Sequence, residues 1–139
     1  MNSKLLYDTI HGYIELDPLC LSIIDTPEFQ RLRYIRQLGA CHYVFPTATH
    51  TRFEHSIGVA NLSREMMESI RGNNPELNIS DETIQNVQLA GLCHDLGHGP
   101  FSHLYDNSLL IGVKSPNIEH EERSCKLLEY LVEKNNIEL

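Results

Sequence analysis

The sequence has 139 residues, of which 41% are hydrophobic and 22% are charged, and its formal net charge is −8. This length fits a single domain over residues 1–139, and the composition excludes a wholly disordered chain. The acidic balance argues against a general nucleic-acid-binding protein, because such a protein would normally carry a basic face. An anionic ligand would therefore need local positive charge or a bound metal ion.

The cysteines and the apolar segments indicate an intracellular protein, with cytoplasm and nucleus both left open. The four cysteines are Cys20, Cys41, Cys93 and Cys125. They form no CxxC pair, so the sequence predicts reduced thiols rather than a disulfide framework. No apolar run approaches the length of a membrane span, and residues 1–8 have no apolar signal segment. We therefore expect no membrane association.

The first part of the chain predicts a small β element followed by helices. Residues 8–17 alternate apolar and polar side chains around Gly12, which is typical of a short hairpin or an extended arm. The pattern becomes helical after Pro18. Thr26 followed by a proline then marks the start of a helix over about 27–38. The apolar side of that helix would carry Phe29, Leu32, Ile35 and Leu38.

The rest of the chain predicts longer helices and therefore an all-α bundle. One helix is predicted over about 51–71, and Ser80 is a suitable N-cap for another over about 81–96. Glycines at 97 and 99 would end that second helix. The remaining predictions are a short helix over about 101–110, a loop over 111–117 and an amphipathic helix over about 118–135.

A cluster of histidines near the middle of the chain predicts a metal site. His94, Asp95, His98 and His103 lie within ten residues, and His55 precedes His94 by 39 residues. On a helix, positions 94, 95 and 98 share one face, so these side chains are expected to converge. Imidazole and carboxylate ligands suit Zn, Fe, Mn, Ni or Co without discriminating among them. A lone histidine is usually a surface or core residue, but the cluster favours ligation.

Five stretches of the sequence carry a family resemblance. They are Asp8–Leu16, Ile24–Gly39, Tyr43–Pro46, Arg52–Val59 and Ala90–His103. In order and through nearly the whole chain, they resemble the HD-domain superfamily of metal-dependent phosphohydrolases. Within it the likeness is to the deoxynucleoside triphosphate triphosphohydrolases, and most to those with a sterile-alpha-motif domain joined to the HD domain. The resemblance implies a helical HD fold and hydrolysis of a dNTP to a deoxynucleoside and inorganic triphosphate.

The resemblance also implies roles for particular residues and a divalent metal ion, with Fe, Mn, Zn, Ni and Mg not distinguished. The implied metal ligands are His55, His94 and Asp95. The implied catalytic residues are His98, His103, Asp106 and His120, with Asp106 as the partner of a catalytic histidine. The implied substrate contacts are Gln37 and Leu38 with the sugar and Arg52 with phosphate.

A regulatory nucleotide site at subunit interfaces is a further implication of the resemblance. It would bind GTP, with an adjoining dNTP as a second activator, in a homo-oligomer. The matching positions are Lys4, Leu5, Asp25, Gln30, Arg33, Val44 and Phe45. From chemistry alone, Asp25 could accept from a guanine edge and Arg33 could pair with phosphate. The alternative is that Asp25 ends a helix and Arg33 is merely exposed.

The fourth metal ligand of the family is an aspartate on a later helix, and no aspartate follows Asp106 in this sequence. Three hypotheses are compatible with this difference. The chain is part of a longer enzyme, or it is a minimal homologue with altered chemistry. In the third hypothesis it is a non-catalytic module that binds metal or nucleotide and assembles with a full-length relative.

Overall fold

The computed structural model describes residues 3–113 and 119–138, and it confirms a helical domain with an N-terminal β-hairpin. The strands are β1 (Lys4–Asp8) and β2 (Gly12–Leu16), and the helices are α1 (Pro18–Ile24), α2 (Pro27–Gln30), α3 (Arg52–Asn73), α4 (Asp81–Cys93) and α5 (His120–Asn135). Short 3₁₀ turns lie at Arg31–Tyr34, Cys41–Tyr43 and Pro75–Leu77, and a π-helix lies at Tyr105–Leu110.

The hairpin begins earlier than the alternating pattern predicts. β1 and β2 pair antiparallel from Lys4 opposite Leu16 to Asp8 opposite Gly12. The Asp8 carboxylate closes the turn, because its Oδ1 atom accepts from the backbone N–H groups of Ile10 at 2.8 Å and of the next residue at 2.9 Å. Gly12 has φ +73°, which suits a residue without a side chain. The hairpin interpretation is therefore confirmed, with the turn at residues 9–11.

The helix predicted over 27–38 is wrong in its second half. α2 ends at residue 30, a 3₁₀ turn follows, and Ile35 is extended with φ −106° and ψ 108°. The reason is tertiary pairing, since the Ile35 carbonyl accepts from the N–H of Arg52 at 2.9 Å and the N–H of Gln37 donates to His50 at 3.0 Å. Leu38, predicted to lie on the apolar side, is 52% exposed.

α3 and α4 match their predicted positions closely and pack against each other. Thr51 and Glu54 form a capping box at the start of α3, and the Ser80 hydroxyl accepts from the N–H of Thr83 at 3.1 Å to cap α4. α4 ends at Cys93, three residues before the predicted end. His94 therefore lies in the turn that follows, not on a continuous helix.

One hydrophobic core joins the inner face of β2 to the helices. Its buried members are Ile14, Leu16, Cys20, Leu21, Ile23, Ile24, Phe29, Leu32, Ile35, Phe53, Ile57, Ala60, Leu92, Cys93, Leu96 and Leu131. Leu131 brings α5 onto this core, while Leu92 and Leu96 bracket the turn with the predicted metal ligands. The core thus fixes both chain segments that approach that turn.

The predicted loop over 111–117 lies partly outside the described residues, and so does the predicted start of the last helix at residue 118. In the described part of the chain, α5 runs from His120 to Asn135. No helix in the two described ranges has the length and apolar character needed to cross a membrane.

Candidate metal and catalytic centre

Three side chains, one from α3 and two from the turn after α4, converge where α4 ends. His55 lies in the first turn of α3, and His94 and Asp95 follow directly after α4. The Oδ2 atom of Asp95 is 3.3 Å from the Nε2 atoms of both His55 and His94. One donor atom from each of the three residues lies within 4.8 Å of the other two. We call His55, His94 and Asp95 the metal triad.

The orientation of His94 fits a metal ligand. Its Nδ1 atom is 2.7 Å from the carbonyl oxygen of Gly91, so Nδ1 carries the proton and donates it there. This hydrogen bond leaves the lone pair of Nε2 pointing at the other two ligands. Metal-bound histidines usually have their second nitrogen fixed in this way. The set of two imidazoles and one carboxylate matches catalytic sites that keep a position open for water or substrate.

Asp95 is the electrostatic centre of the metal triad. It is 4% exposed and forms a buried ion pair with Arg52. Burial opposes ionisation of this carboxyl group. The side chains of three histidines, His55, His94 and His98, lie close to the carboxyl group, outweigh burial and hold its pKa well below its usual value. Asp95 therefore supplies a full negative charge to the site at neutral pH.

Arg52 lies in the site but is itself buried. Only 2% of the residue is exposed, and its Nε donates to the hydroxyl of Ser102 at 3.1 Å. Its ion pair with Asp95 and the hydroxyl of Ser102 fix the guanidinium beside the metal triad. The predicted contact of Arg52 with phosphate stays a prediction.

A second group of ionisable side chains adjoins the metal triad. We call its members, His98, His103, Asp106 and His120, the histidine cluster. The rings of His98 and His120 are stacked with centroids 4.0 Å apart and 29° between their planes. His103 meets both rings edge-on, at 5.0 and 5.4 Å. The Oδ2 atom of Asp106 is 3.5 Å from Nδ1 of His120 and 3.9 Å from Nδ1 of His98.

The ring stacking separates this cluster chemically from the metal triad. Ring nitrogen lone pairs lie in the ring plane, so two stacked imidazoles do not direct their lone pairs at one ion. Both ring nitrogens of His98 and the Oδ2 atom of Asp106 are buried without a hydrogen bond in the described structure. Buried polar atoms of this kind commonly mark a functional site. The arrangement suits proton transfer and contact with an anion better than metal ligation.

His98 connects the two groups. Its Nε2 atom lies 3.4 Å from the Oδ1 atom of Asp95, the oxygen that faces away from His55 and His94. Burial lowers the pKa of His98, and the charges of Arg52 and His120 lower it further, while Asp95 acts in the opposite direction. A single carboxylate therefore faces the metal triad with one oxygen and the histidine cluster with the other.

The sequence analysis missed Arg123 and Ser124 in the first turns of α5. Arg123 forms an ion pair with Asp106, and its Nε donates to the carbonyl of Gly97 at 3.0 Å. The hydroxyl of Ser124 accepts from the N–H of Gly97 at 2.8 Å. The spacing offered a signal, because residue 123 follows His120 by three positions and so shares its helix face.

The predicted substrate contacts lie near Arg52 at the end of the extended segment. The carbonyl oxygen of Gln37 is 3.5 Å from Nη2 of Arg52, and Oε1 of Gln37 is buried without a hydrogen bond in the described structure. Leu38 is half-exposed next to it. Beside His55, a cavity of about 370 Å³ opens between the hairpin turn and α3. That volume is within the range of small-molecule sites.

Among the residues predicted to bind the regulatory nucleotide, the described structure shows a direct hydrogen bond between Arg33 and Gln30. Arg33 donates from Nε to Oε1 of Gln30 at 2.7 Å, and its guanidinium lies 3.4 Å from the ring centroid of Phe53. Asp25 ends α1. Lys4, Leu5, Val44 and Phe45 are exposed, the first two on β1 and the others after the Cys41–Tyr43 turn. Their nucleotide contacts stay predictions.

The comparison with protein families agrees with this geometry. The HD domain model matches residues 52–138, which is more than half of the chain. This chain belongs to the HD domain family. The metal triad and the histidine cluster both lie inside the matched segment of this HD domain.

Its similar relatives are much longer proteins. "Deoxynucleoside triphosphate triphosphohydrolase SAMHD1" of Homo sapiens is 52% identical over 136 residues, which covers 96% of this chain and 22% of the relative. The protein of the same name in Bos taurus is 51% identical, with coverages of 97% and 23%. The SAMHD1 homolog of Dictyostelium discoideum is 42% identical, with coverages of 99% and 27%. The chain thus spans about a quarter of the length of these curated relatives.

Proposed function

We propose that this HD domain hydrolyses deoxynucleoside triphosphates to a deoxynucleoside and inorganic triphosphate. The observation that carries the proposal is the shared carboxylate of Asp95, which joins the metal triad to a stacked pair of histidines. A hydrolase of this type needs both a metal and a proton donor near the same phosphorus. The names of the similar relatives support the choice of substrate.

The proposed metal ligands are His55, His94 and Asp95. The bound divalent ion, which could be Fe, Mn, Zn, Ni or Mg, would polarise a phosphoryl oxygen and lower the pKa of a coordinated water. The protein's own part is to fix the ligand atoms. Gly91 fixes the tautomer of His94, and Arg52 holds the carboxylate of Asp95 in place.

We propose that the histidine cluster supplies the proton that the leaving oxygen takes up. In the reaction, a water oxygen bonds to the α-phosphorus, the bond from that phosphorus to the 5′ oxygen breaks, and the departing oxygen takes up a proton. His98 and His120 are the proposed proton donors, because imidazole exchanges protons near neutral pH. His103 would contact the triphosphate, and Asp106 would orient its catalytic histidine through Nδ1.

Substrate selection is proposed to involve Gln37, Leu38 and Arg52. A side chain pressed on the sugar face leaves no room for a 2′-hydroxyl, and half-exposed Leu38 is available for that contact. Arg52 has five N–H donors, so a phosphate contact is compatible with its existing partners. The proposal places the sugar beside the extended segment and the phosphates toward the metal triad.

Regulation and assembly form a further part of the proposal. GTP and a dNTP would bind at an interface between copies of an intracellular homo-oligomer. The contacts would come from Lys4, Leu5, Asp25, Gln30, Arg33, Val44 and Phe45. The guanidinium of Arg33 is already oriented by Gln30 and by the ring of Phe53, which favours a fixed phosphate contact. Size measurements with and without GTP test this part.

The decisive experiment measures metal content and triphosphate release from dGTP, with GTP added, on the same preparation. About one metal ion per chain with turnover is expected, and His94→Ala should lose both. His42→Ala is a matched control, because His42 lies outside the metal triad and the histidine cluster. Metal without turnover would favour a module that binds nucleotide or regulates a relative. Turnover that survives His94→Ala would contradict the proposal.

A further inference from the structure

We propose that Arg123 is a positioning residue that holds Asp106 against the stacked histidines. This inference rests on the proposed function, since it assigns Arg123 to the proton-handling half of that site. In the part of the chain that the structure describes, no ion pair or hydrogen bond joins Arg123 to the metal triad. Its guanidinium instead connects the first turn of α5 to the Tyr105–Leu110 π-helix and to the turn after α4.

Among the described residues, polar contacts with Gly97 and Asp106 hold the guanidinium of Arg123 in place. The Nε atom of Arg123 donates to the carbonyl oxygen of Gly97 at 3.0 Å, and Nη2 pairs with Oδ1 of Asp106. The guanidinium also lies 5.9 Å from the ring centroid of Tyr105. A planar fork bound at two points restricts rotation of the carboxylate that it holds, which a single ammonium does not do.

The backbone that carries Arg123 is hydrogen-bonded to the turn after α4, which contains His94 and Asp95. The hydroxyl of Ser124 accepts from the N–H of Gly97, and its oxygen lies 2.7 Å from the carbonyl of His94 and 2.8 Å from that of His120. A Cβ atom on Gly97 would overlap the backbone of residues 120–124. The segment that carries Arg123 is therefore tightly packed against the turn after α4.

The consequence concerns the oxygen of Asp106 that Arg123 leaves available. Because Oδ1 is held by Arg123, Oδ2 faces Nδ1 of His120 at 3.5 Å and Nδ1 of His98 at 3.9 Å. A carboxylate at Nδ1 keeps the proton on that nitrogen and leaves Nε2 to face outward. The Nε2 atom of His120 lies 3.2 Å from the carboxylate of Glu121, but that side chain is 65% exposed and screened by water, whereas Asp106 is buried and acts more strongly on Nδ1. Arg123 thus sets the tautomer of His120 through Asp106.

The test combines kinetics with imidazole NMR on the full chain loaded with zinc, which is diamagnetic. Arg123→Gln should lower kcat by about 10- to 100-fold, as loss of an orienting partner does, while KM and metal content stay unchanged. In the ¹⁵N spectrum, His120 should change from one Nδ1–H tautomer to a mixture. Arg123→Lys should give an intermediate result. His120→Gln identifies the signal, and Arg71→Gln, at a surface pair with Asp81, is the matched control.

An unchanged His120 tautomer in Arg123→Gln would overturn the inference, and so would a kcat equal to that of Arg71→Gln in an active protein. If Arg123→Gln fails to fold, Arg123→Lys decides, because it retains the charge and the helix propensity but not the two-point contact. The NMR measurement needs no turnover. A wild-type chain without turnover would therefore refute the proposed function while the tautomer of His120 still tests the role of Arg123.

Discussion

The metal triad and the histidine cluster use the same residue types but are built differently. The triad comes from the start of α3 and the end of α4, two long helices that pack together. The cluster is assembled from the turn after α4, the residues before and within a π-helix, and the first residue of α5. π-Helical turns are rare and occur often at functional sites.

This difference is also a difference in chemistry. In the metal triad the Nε2 atoms of His55 and His94 each lie 3.3 Å from the same oxygen of Asp95. These three atoms are close enough together to bind one cation. In the histidine cluster the rings stack and face a carboxylate that is already neutralised by Arg123. Histidine and aspartate therefore form a metal site or a proton-transfer site according to whether their lone pairs converge. Three substitutions probe the two groups, and a fourth probes the far end of α5.

Asp95→Asn should have the largest effect, because Asp95 serves both groups. The variant should lose its metal, and it leaves the buried charge of Arg52 without its carboxylate partner. Removing one partner of a buried ion pair typically costs about 3–5 kcal/mol of unfolding free energy. Metal analysis measures the loss of the ion, and urea unfolding in the presence of a chelator measures the change in unfolding free energy without a metal contribution. Asp81→Asn is the matched control, because Asp81 pairs with Arg71 at the surface, and its stability should not change measurably.

His120→Gln should separate the two groups functionally. The metal triad is untouched, so one metal ion per chain should remain, while kcat should fall by about 10²- to 10⁴-fold through loss of a proton donor. Metal analysis and triphosphate release on one preparation measure both. Loss of the metal in this variant would mean that the two groups form one interdependent site. His42→Gln provides the comparison for the loss of an imidazole elsewhere.

Gly97→Ala should weaken the packing of α5 against the turn after α4. The added Cβ would overlap the first turn of α5, so we expect about 1–3 kcal/mol of destabilisation from overpacking. Turnover should fall, and the metal should be retained. Gly72→Ala is the matched control, because a Cβ there meets nothing within 4 Å inside α3. It should stabilise the helix by about 0.5–1 kcal/mol. Equal unfolding midpoints for the two variants would contradict this account.

Glu28→Gln should have the smallest effect, at the far end of α5. Lys134 donates to Oε1 of Glu28 at 2.6 Å, and this hydrogen bond lowers the pKa of Glu28 below its ordinary value of 4.5. A carboxyl group with a lowered folded-state pKa stabilises the fold above pH 4.5, and that contribution is lost as the pH falls through the folded-state pKa. The variant should melt a few degrees lower at pH 7, and the difference should vanish on acidification. A difference in melting temperature that grows toward acid pH would contradict this prediction.

Residue adjacency made the proximity of His94 and Asp95 predictable from the sequence, whereas His55 joined the predicted ligands through the family resemblance. His94 and Asp95 are neighbours, and His55 lies in the first turn of a helix that a strong capping box marks at Thr51. α3 and α4 are long and locally encoded, so their ends were predicted within a few residues. The expectation that His98 shares the triad's face was only partly right, because α4 ends at Cys93 and the ring of His98 stacks on His120.

Tertiary contacts determine the structural features that the periodicity of the sequence did not predict. The backbone of Ile35 and Gln37 pairs with the segment before α3, which ends the predicted helix early. Phe101 and Ser102 adopt φ values of +64° and +55°, which no local pattern indicates. Arg123 was missed for a related reason. Its partner Asp106 is seventeen positions away, and an arginine on an amphipathic helix looks like any other surface charge.

The cysteines provide a natural site for a chemical label. Burial raises the pKa of Cys93 to about 12 and also raises the pKa of Cys20, so both thiols are poor nucleophiles at neutral pH. Cys125 is exposed and follows Ser124, whose hydroxyl donates to the carbonyl of His94 in the turn after α4. With half-buried Cys41 replaced by serine, a maleimide dye would attach to Cys125 alone. Its fluorescence would then report, in real time, whether α5 stays docked when nucleotide arrives.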